Sequence, residues 1–366
     1  MSNPFNPSFG KRPIHFYGRQ AVTRTIISSV DDDNSPWRTT LIRGIRGSGK
    51  TALLSDIRVN LDERNVISVD IVPNEAILEN ILTQLYRQLP KGILKTMPRL
   101  KSINLTRGVS VDFDGDKDRS YFKETFSYQI MEMMDAFMKK GKHIVFLVDE
   151  VQKHTEGMRI FISTYQNLIM REYSVSMVMA GLPSAVSKVL NDKILTFLRR
   201  AKQIDLNNIE LIIIEHEFKK VFANEGSILT DEVVSKAAAC THGYPYLIQL
   251  IGYYLWEDMK NGSSVDVLED VLVKAKAELF QNVHSVVFDD LSNQDRNFVF
   301  AMYEDEGVSS VSDIGKRMQK EKNQLSPSRN RLITAKVIKP AGHGLLSFSY
   351  PYMKEFLLYK KLELEY

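Results

Sequence analysis

Apolar and polar positions alternate along this chain in two rhythms. Short apolar runs bounded by polar residues occur at 37–43, 65–71, 143–150, 175–181 and 202–206, and they predict buried strands. Between them apolar residues recur every three or four positions, predicting helices from about Lys50 and over 74–89. Strand and helix in alternation imply an α/β parallel sheet with helices on both faces. From about Asn208 to Asn282 the pattern turns wholly helical, the signature of a small all-α lid domain. Near Leu291 it shifts again: three short helical stretches precede "VIKPAGHGLLSFSY", two apolar runs around a Pro/Gly turn, which predicts a β-wing. The expected division is therefore 1–207, 208–290 and 291–366.

One stretch breaks the rhythm. Residues 101–120 predict an inserted hairpin or loop. Their "DFDGDKD" is expected to be a solvated acidic turn, because an EF-hand loop needs glycine at position six and here it stands at position four.

Composition bounds the partners. A chain of 366 residues, 43% hydrophobic and 25% charged, has material for two or three compact domains. Forty-eight basic against forty-five acidic residues leave a formal charge of +3, so any basic surface must be local. The single cysteine, Cys240, excludes an internal disulfide framework and a multi-cysteine zinc site. The prolines and polar residues of the first twenty positions do not form a secretion signal, and no apolar run approaches the ~20 residues of a membrane span. The expected location is the cytoplasm.

The densest chemical signal is Gly44-Ile45-Arg46-Gly47-Ser48-Gly49-Lys50-Thr51, which fits G-x-x-x-x-G-K-[ST] at every fixed position. It follows an apolar strand and opens a helix. Small residues at Gly44, Gly47, Ser48 and Gly49 let backbone N–H groups face phosphates, and the helix N-terminus adds a positive dipole end. Lys50 is placed to reach the β/γ-phosphates and Thr51 to ligate Mg2+. Downstream, "HIVFLVDE" ends a buried strand in two carboxylates. Asp149 is the second magnesium residue, acting through the ion's water shell, and Glu150 the general base for an attacking water. ATP and Mg2+ are the expected cofactors, and ATP hydrolysis the expected activity.

With these residues in view the chain resembles an AAA+ ATPase of the branch that holds archaeal ATPases, origin-recognition initiators and STAND signalling switches, and the resemblance spans nearly its whole length. "FYGRQ" at 16–20 is similar to the family's segment near the adenine, which implies packing by Tyr17, Gly18 and Arg19; the family's usual acidic residue three positions after the start of the Gly-Arg pair is absent, with Val22 nearby. "VSMVMAGLPS" resembles the sensor-1 strand, with Ser184 rather than Asn or Thr at its tip. "FLRRAKQIDL" resembles the segment that carries an arginine finger, which implies Arg199 or Arg200 reaching a neighbouring subunit's γ-phosphate. "THGYPYLIQLIGYYLW" looks like the Gly-x-Pro motif over the nucleotide, matched by Gly243 and Pro245.

Residues 291–361 resemble a winged helix. "SPSRNRLITAKVI" is its recognition-type helix, with Ser326 as N-cap and Pro327 in the first turn. Eight basic residues against one acidic lie between 316 and 339, and Lys316, Arg317, Arg329, Arg331 and Lys336 are the candidate DNA-binding residues. Two functions stay open: a duplex-DNA-acting ATPase, and a STAND-like switch whose winged helix makes protein contacts, with a homo-oligomer or protein partner.

Overall fold

The computed structural model describes residues 2–8, 18–64, 66–89, 116–151, 155–224, 229–260 and 267–365. The chain divides into two compact units, one of Arg19–Arg43 and Lys50–Asp205, the other of Met1–Gly18, Gly44–Gly49 and Leu206–Tyr366.

The first unit holds helix α1 (Gln20–Ser28), strand β1 (Thr39–Arg43), α2 (Lys50–Glu63), β2 (Ile67–Ile71), α3 (Ile77–Gln88), α4 (Asp116–Met138), β3 (Ile144–Val148), α5 (Glu156–Met170), β4 (Val175–Gly181), α6 (Pro183–Leu190) and β5 (Lys202–Asp205). The strands form one parallel sheet in the order β2-β3-β4-β1-β5. Every residue of the inner strands β3 and β4 is buried, so both faces are covered by helices, whereas the edge strand β2 alternates buried and half-buried or exposed positions. Met179 of β4 pairs with Leu41 on one side and Val148 on the other. The carboxyl ends of β1 and β3 therefore emerge at the same edge of the sheet, where parallel α/β sheets place their ligands.

Strands β2 and β3 and helix α3 are shorter by one to three residues at one or both ends than the sequence runs predict, and two other segments differ as well. Strand β1 begins at Thr39, not Trp37, because Pro36–Arg38 forms a 3-10 turn in which the Ser35 side chain accepts from the Trp37 N–H at 3.3 Å. Residues 116–120, expected within a loop, instead open α4. Residues 101–115 lie outside the described residues.

The second unit contains α7 (Leu211–Asn224), α8 (Asp231–Cys240), α9 (Pro245–Lys260) and α10 (Val267–Leu279), then a π-helical turn at Phe280–His284 that runs into α11 (Ser285–Asp289). The N-terminal segment is pinned to α9. Phe5, 2% exposed, lies so close over Gly252 that any side chain there would meet its ring. The Asn6 N–H donates to Gln249 Oε1 at 2.9 Å.

The remainder of this unit is α12 (Asn293–Tyr303), β6 (Ser309–Ser310), α13 (Val311–Met318), α14 (Lys322–Thr334), the hairpin β7 (Ile338–Gly342) and β8 (Leu345–Phe348), and α15 (Met353–Glu365). The antiparallel sheet runs β6-β8-β7. The expected hairpin is present, with Pro340 on the edge strand β7 where a missing N–H is tolerated. The expected N-cap is corrected: α14 begins four residues before Ser326. Glu321 caps it, its N–H donating to Gln324 Oε1 at 3.0 Å, so Pro327 falls inside the helix. Ser326 instead turns back on the Lys322 carbonyl at 2.9 Å.

Candidate functional site

Gly44–Gly49 clusters with the second unit, whereas Lys50 and Thr51 open α2 in the first. The loop needs its glycines. At Gly44 a Cβ would lie 2.2 Å from Ser48 Oγ, and Gly47 and Gly49 hold φ of +75° and +87°, a region that strains any L side chain. Ser48 is 3% exposed and its hydroxyl has no partner among the described residues. The Ile45 carbonyl accepts from the Ser48 N–H at 3.2 Å and closes the turn.

The Gly-x-Pro segment lies against this loop. Pro245 Cβ is 3.9 Å from where a Cβ of Gly49 would stand. Gly243, at φ +72°, accepts from the Ile209 N–H at 2.8 Å, and a Cβ there would meet the Ile209 carbonyl at 2.3 Å. Two tyrosines that sequence reading did not single out also reach the loop. Tyr244, fully buried, donates its hydroxyl to the Arg46 carbonyl, and the Arg46 N–H donates to Tyr350 Oη at 3.3 Å. Burial pushes both phenol pKa values up, so both hydroxyls keep their protons.

In the first unit, Thr51 Oγ1 donates to Asp149 Oδ2 at 2.7 Å, while Asp149 Oδ1 accepts from the Glu150 N–H at 2.9 Å. The Asp149 N–H donates to the Ile71 carbonyl and the Val151 N–H to the Ala180 carbonyl, so neighbours on both sides fix the end of β3. Glu150 is exposed and sits at φ +54°, a left-handed conformation that is costly for glutamate and that clusters at functional positions. A threonine hydroxyl beside a carboxylate is a set of hard oxygen donors suited to Mg2+, which takes few protein ligands and keeps water or phosphate oxygens for the rest.

Other predicted residues are more scattered. Arg199 and Arg200 are both exposed at the end of a 3-10 turn, and Arg199 Nε donates to the Leu190 carbonyl at 2.9 Å. Gly18 takes φ +64° beside Ile209, and burial lowers the Arg19 pKa. Tyr17 lies outside the described residues.

The basic segment is only partly open. Arg317 grips Asp305 through both terminal nitrogens, and its hydrogen bonds hold that carboxyl below its usual range. Arg331 grips Asp295, 5% exposed, at 3.0 and 2.7 Å. Burial alone would raise the Asp295 carboxyl; Arg331, Ser328 and Ser292 together bring it below its usual range. Arg317 and Arg331, two of the five candidate DNA residues, are therefore committed to bidentate intramolecular pairs. Lys316 makes an exposed i,i−3 pair with Asp313, and Arg329 is half-buried. Lys336, at φ +52°, lines a cleft of about 420 Å³ with Ile45, Ile338 and Lys339.

Residues 281–357 match a domain of unknown function (DUF8462). No curated protein matches the chain significantly. Among solved structures it is similar to the Walker-type ATPase of Pyrococcus abyssi, at 16% identity over 95% of this chain and 97% of that one, with a TM-score of 0.64. It is also similar to the ORC2 protein of Aeropyrum pernix in its ADP form, at 10% identity over 97% and 96%, with a TM-score of 0.50. With the parallel sheet order and the glycine loop after β1, these likenesses show that the chain shares the fold of that Walker-type ATPase structure.

Proposed function

We propose that this protein binds ATP with Mg2+, hydrolyses it to ADP and phosphate, and uses the nucleotide state to govern its C-terminal segment, a winged helix that acts on duplex DNA. The observation that carries the ATP reading is the bond between Thr51 Oγ1 and Asp149 Oδ2, which joins the last residue of the glycine motif to the acidic end of β3. The buried Ser48 hydroxyl and the positive-φ glycines Gly47 and Gly49 fit a phosphate-binding loop. When bound, the ion neutralises charge on the phosphate oxygens.

The roles follow. The backbone of Gly44, Gly47, Ser48 and Gly49 faces the phosphates, Lys50 pairs with their charge, and Thr51 and Asp149 hold the ion. Glu150 accepts a proton from the attacking water. Gly18, Arg19, Gly243 and Pro245 belong beside the base. Arg200 is the better candidate to reach a second subunit, since Arg199 is engaged with Leu190. The proposed domains are 1–207, 208–290 and 291–366. The likeness to a Walker-type ATPase and to a protein solved in an ADP form supports this reading.

Lys316, Arg329 and Lys336 form the proposed DNA surface. A second reading, a nucleotide-dependent switch whose winged helix binds protein, is favoured by the commitment of Arg317 and Arg331 to Asp305 and Asp295. ATP turnover at fixed low salt, measured as duplex DNA is added, separates the two. A rise supports the DNA-acting ATPase; a flat response moves the assignment to the protein switch.

A further inference from the structure

The middle of the glycine loop is held by residues far along the chain. Its 45–46 peptide is tied at both ends: the Ile45 carbonyl accepts from Ser48, and the Arg46 N–H donates to Tyr350 Oη. The next peptide is tied at one end, where the Arg46 carbonyl accepts from Tyr244. A trans peptide is planar, with C=O and N–H on opposite sides. Anchoring the Arg46 carbonyl to Tyr244 therefore aims the Gly47 N–H the opposite way. Tyr244 also occupies the space above Gly47, since a Cβ there would lie 2.2 Å from its hydroxyl.

The tyrosines are braced in turn. The Tyr350 ring meets Tyr244 edge-on at 6.3 Å and His284 at 6.0 Å. His284, fully buried, ends the π-helical turn Phe280–His284 and packs against Phe280 and Phe356. Such single turns recur at functional places in helices. A continuous row of rings thus runs from a turn at the end of α10 to the glycine loop.

We propose that Tyr244 and Tyr350 are positioning residues for phosphate binding: they fix the two peptides around Arg46, and Tyr350 makes the loop's geometry depend on the docking of the C-terminal segment. The inference rests on the nucleotide reading above. A glycine-rich loop loses more conformational freedom on ordering than any other. Anchoring it before the ligand arrives lowers that cost, which appears as affinity.

The test is titration of the full-length protein with a fluorescent ADP analogue, alongside steady-state ATP turnover, for Tyr244→Phe, Tyr350→Phe and the double variant. Each substitution removes one hydroxyl and keeps the ring. Tyr254→Phe, which removes the hydroxyl bound to Glu278 in the helical bundle, is the control. Each single variant is expected to weaken ADP about fivefold, the worth of one neutral hydrogen bond, and to raise KM with kcat within about twofold. The double variant is expected to lose less than the product of the two, because both act on one segment. Tyr254→Phe should move neither constant. Wild-type binding with both loop variants inside about twofold of it overturns the proposal, as does an equal loss in Tyr254→Phe. Absence of wild-type binding removes the nucleotide reading itself, and this inference with it.

Discussion

Thr51 and Asp149 stand 98 positions apart and share a hydrogen bond of 2.7 Å. That bond brings a hydroxyl from the first turn of α2 to the carboxylate that ends β3, and it sets two hard oxygen donors side by side, the kind of pair proposed above for Mg2+. Thr51→Ala and Asp149→Asn should each weaken Mg-ATP more than ATP in excess EDTA. Calorimetry with and without Mg2+ reads the difference, and equal losses in both conditions would place the pair outside the metal site.

Glu150 follows Asp149 in a conformation that glutamate seldom adopts. If its carboxylate takes the proton of the attacking water, Glu150→Gln keeps ATP affinity and slows single-turnover hydrolysis about 10²-fold. An unchanged rate assigns the proton to another group.

Arg331 and Arg329 lie two residues apart on α14 with different tasks. Arg331→Ala leaves the buried Asp295 carboxylate without its guanidinium and should cost about 1–2 kcal/mol of stability, moderated because the arginine side is half exposed. Lys316→Ala with Arg329→Ala should leave stability nearly unchanged and flatten the salt dependence of duplex binding. Urea denaturation and binding at several salt concentrations check the two halves separately.

Acid should weaken the fold in two stages. Burial depresses His284 to about 3, and burial followed by Arg38 depresses His143 to about 4, against 6.5 for a free imidazole. Between about 4 and 6.5 the unfolded chain binds protons that the folded chain does not, so stability is complete above about 6.5 and falls as pH drops through that window. The slope approaches about 1.4 kcal/mol per pH unit for each histidine. Asp295 and Asp305, held low, add a further loss below about 4. His284→Phe should shallow the first stage in urea melts taken across pH; an unaltered slope assigns the loss to other groups.

Much of this was legible in the sequence, for physical reasons. Strands β3 and β4 are buried at every position, so they read as unbroken apolar runs. The glycine loop announced itself because its backbone leaves few residue choices. Local signals also misled. Ser326-Pro327 has the look of a helix start, yet Glu321 and Gln324 form the cap upstream. The charge count at 316–339 did not reveal Asp295 and Asp305, which neutralise Arg331 and Arg317 from α12 and the turn after it. Tyr350 reaches Arg46 across 304 positions, and Phe5 covers Gly252 from the other end of the chain. No periodicity encodes such pairings, because they arise only when separate elements pack.

The most direct test of the central claim is calorimetric titration of Mg-ATP into wild type and Lys50→Ala. The account predicts saturable one-site binding by wild type and at least about a tenfold loss in the variant, the scale of a charge-assisted phosphate contact. Equal affinity in both, or no binding by wild type, would contradict it.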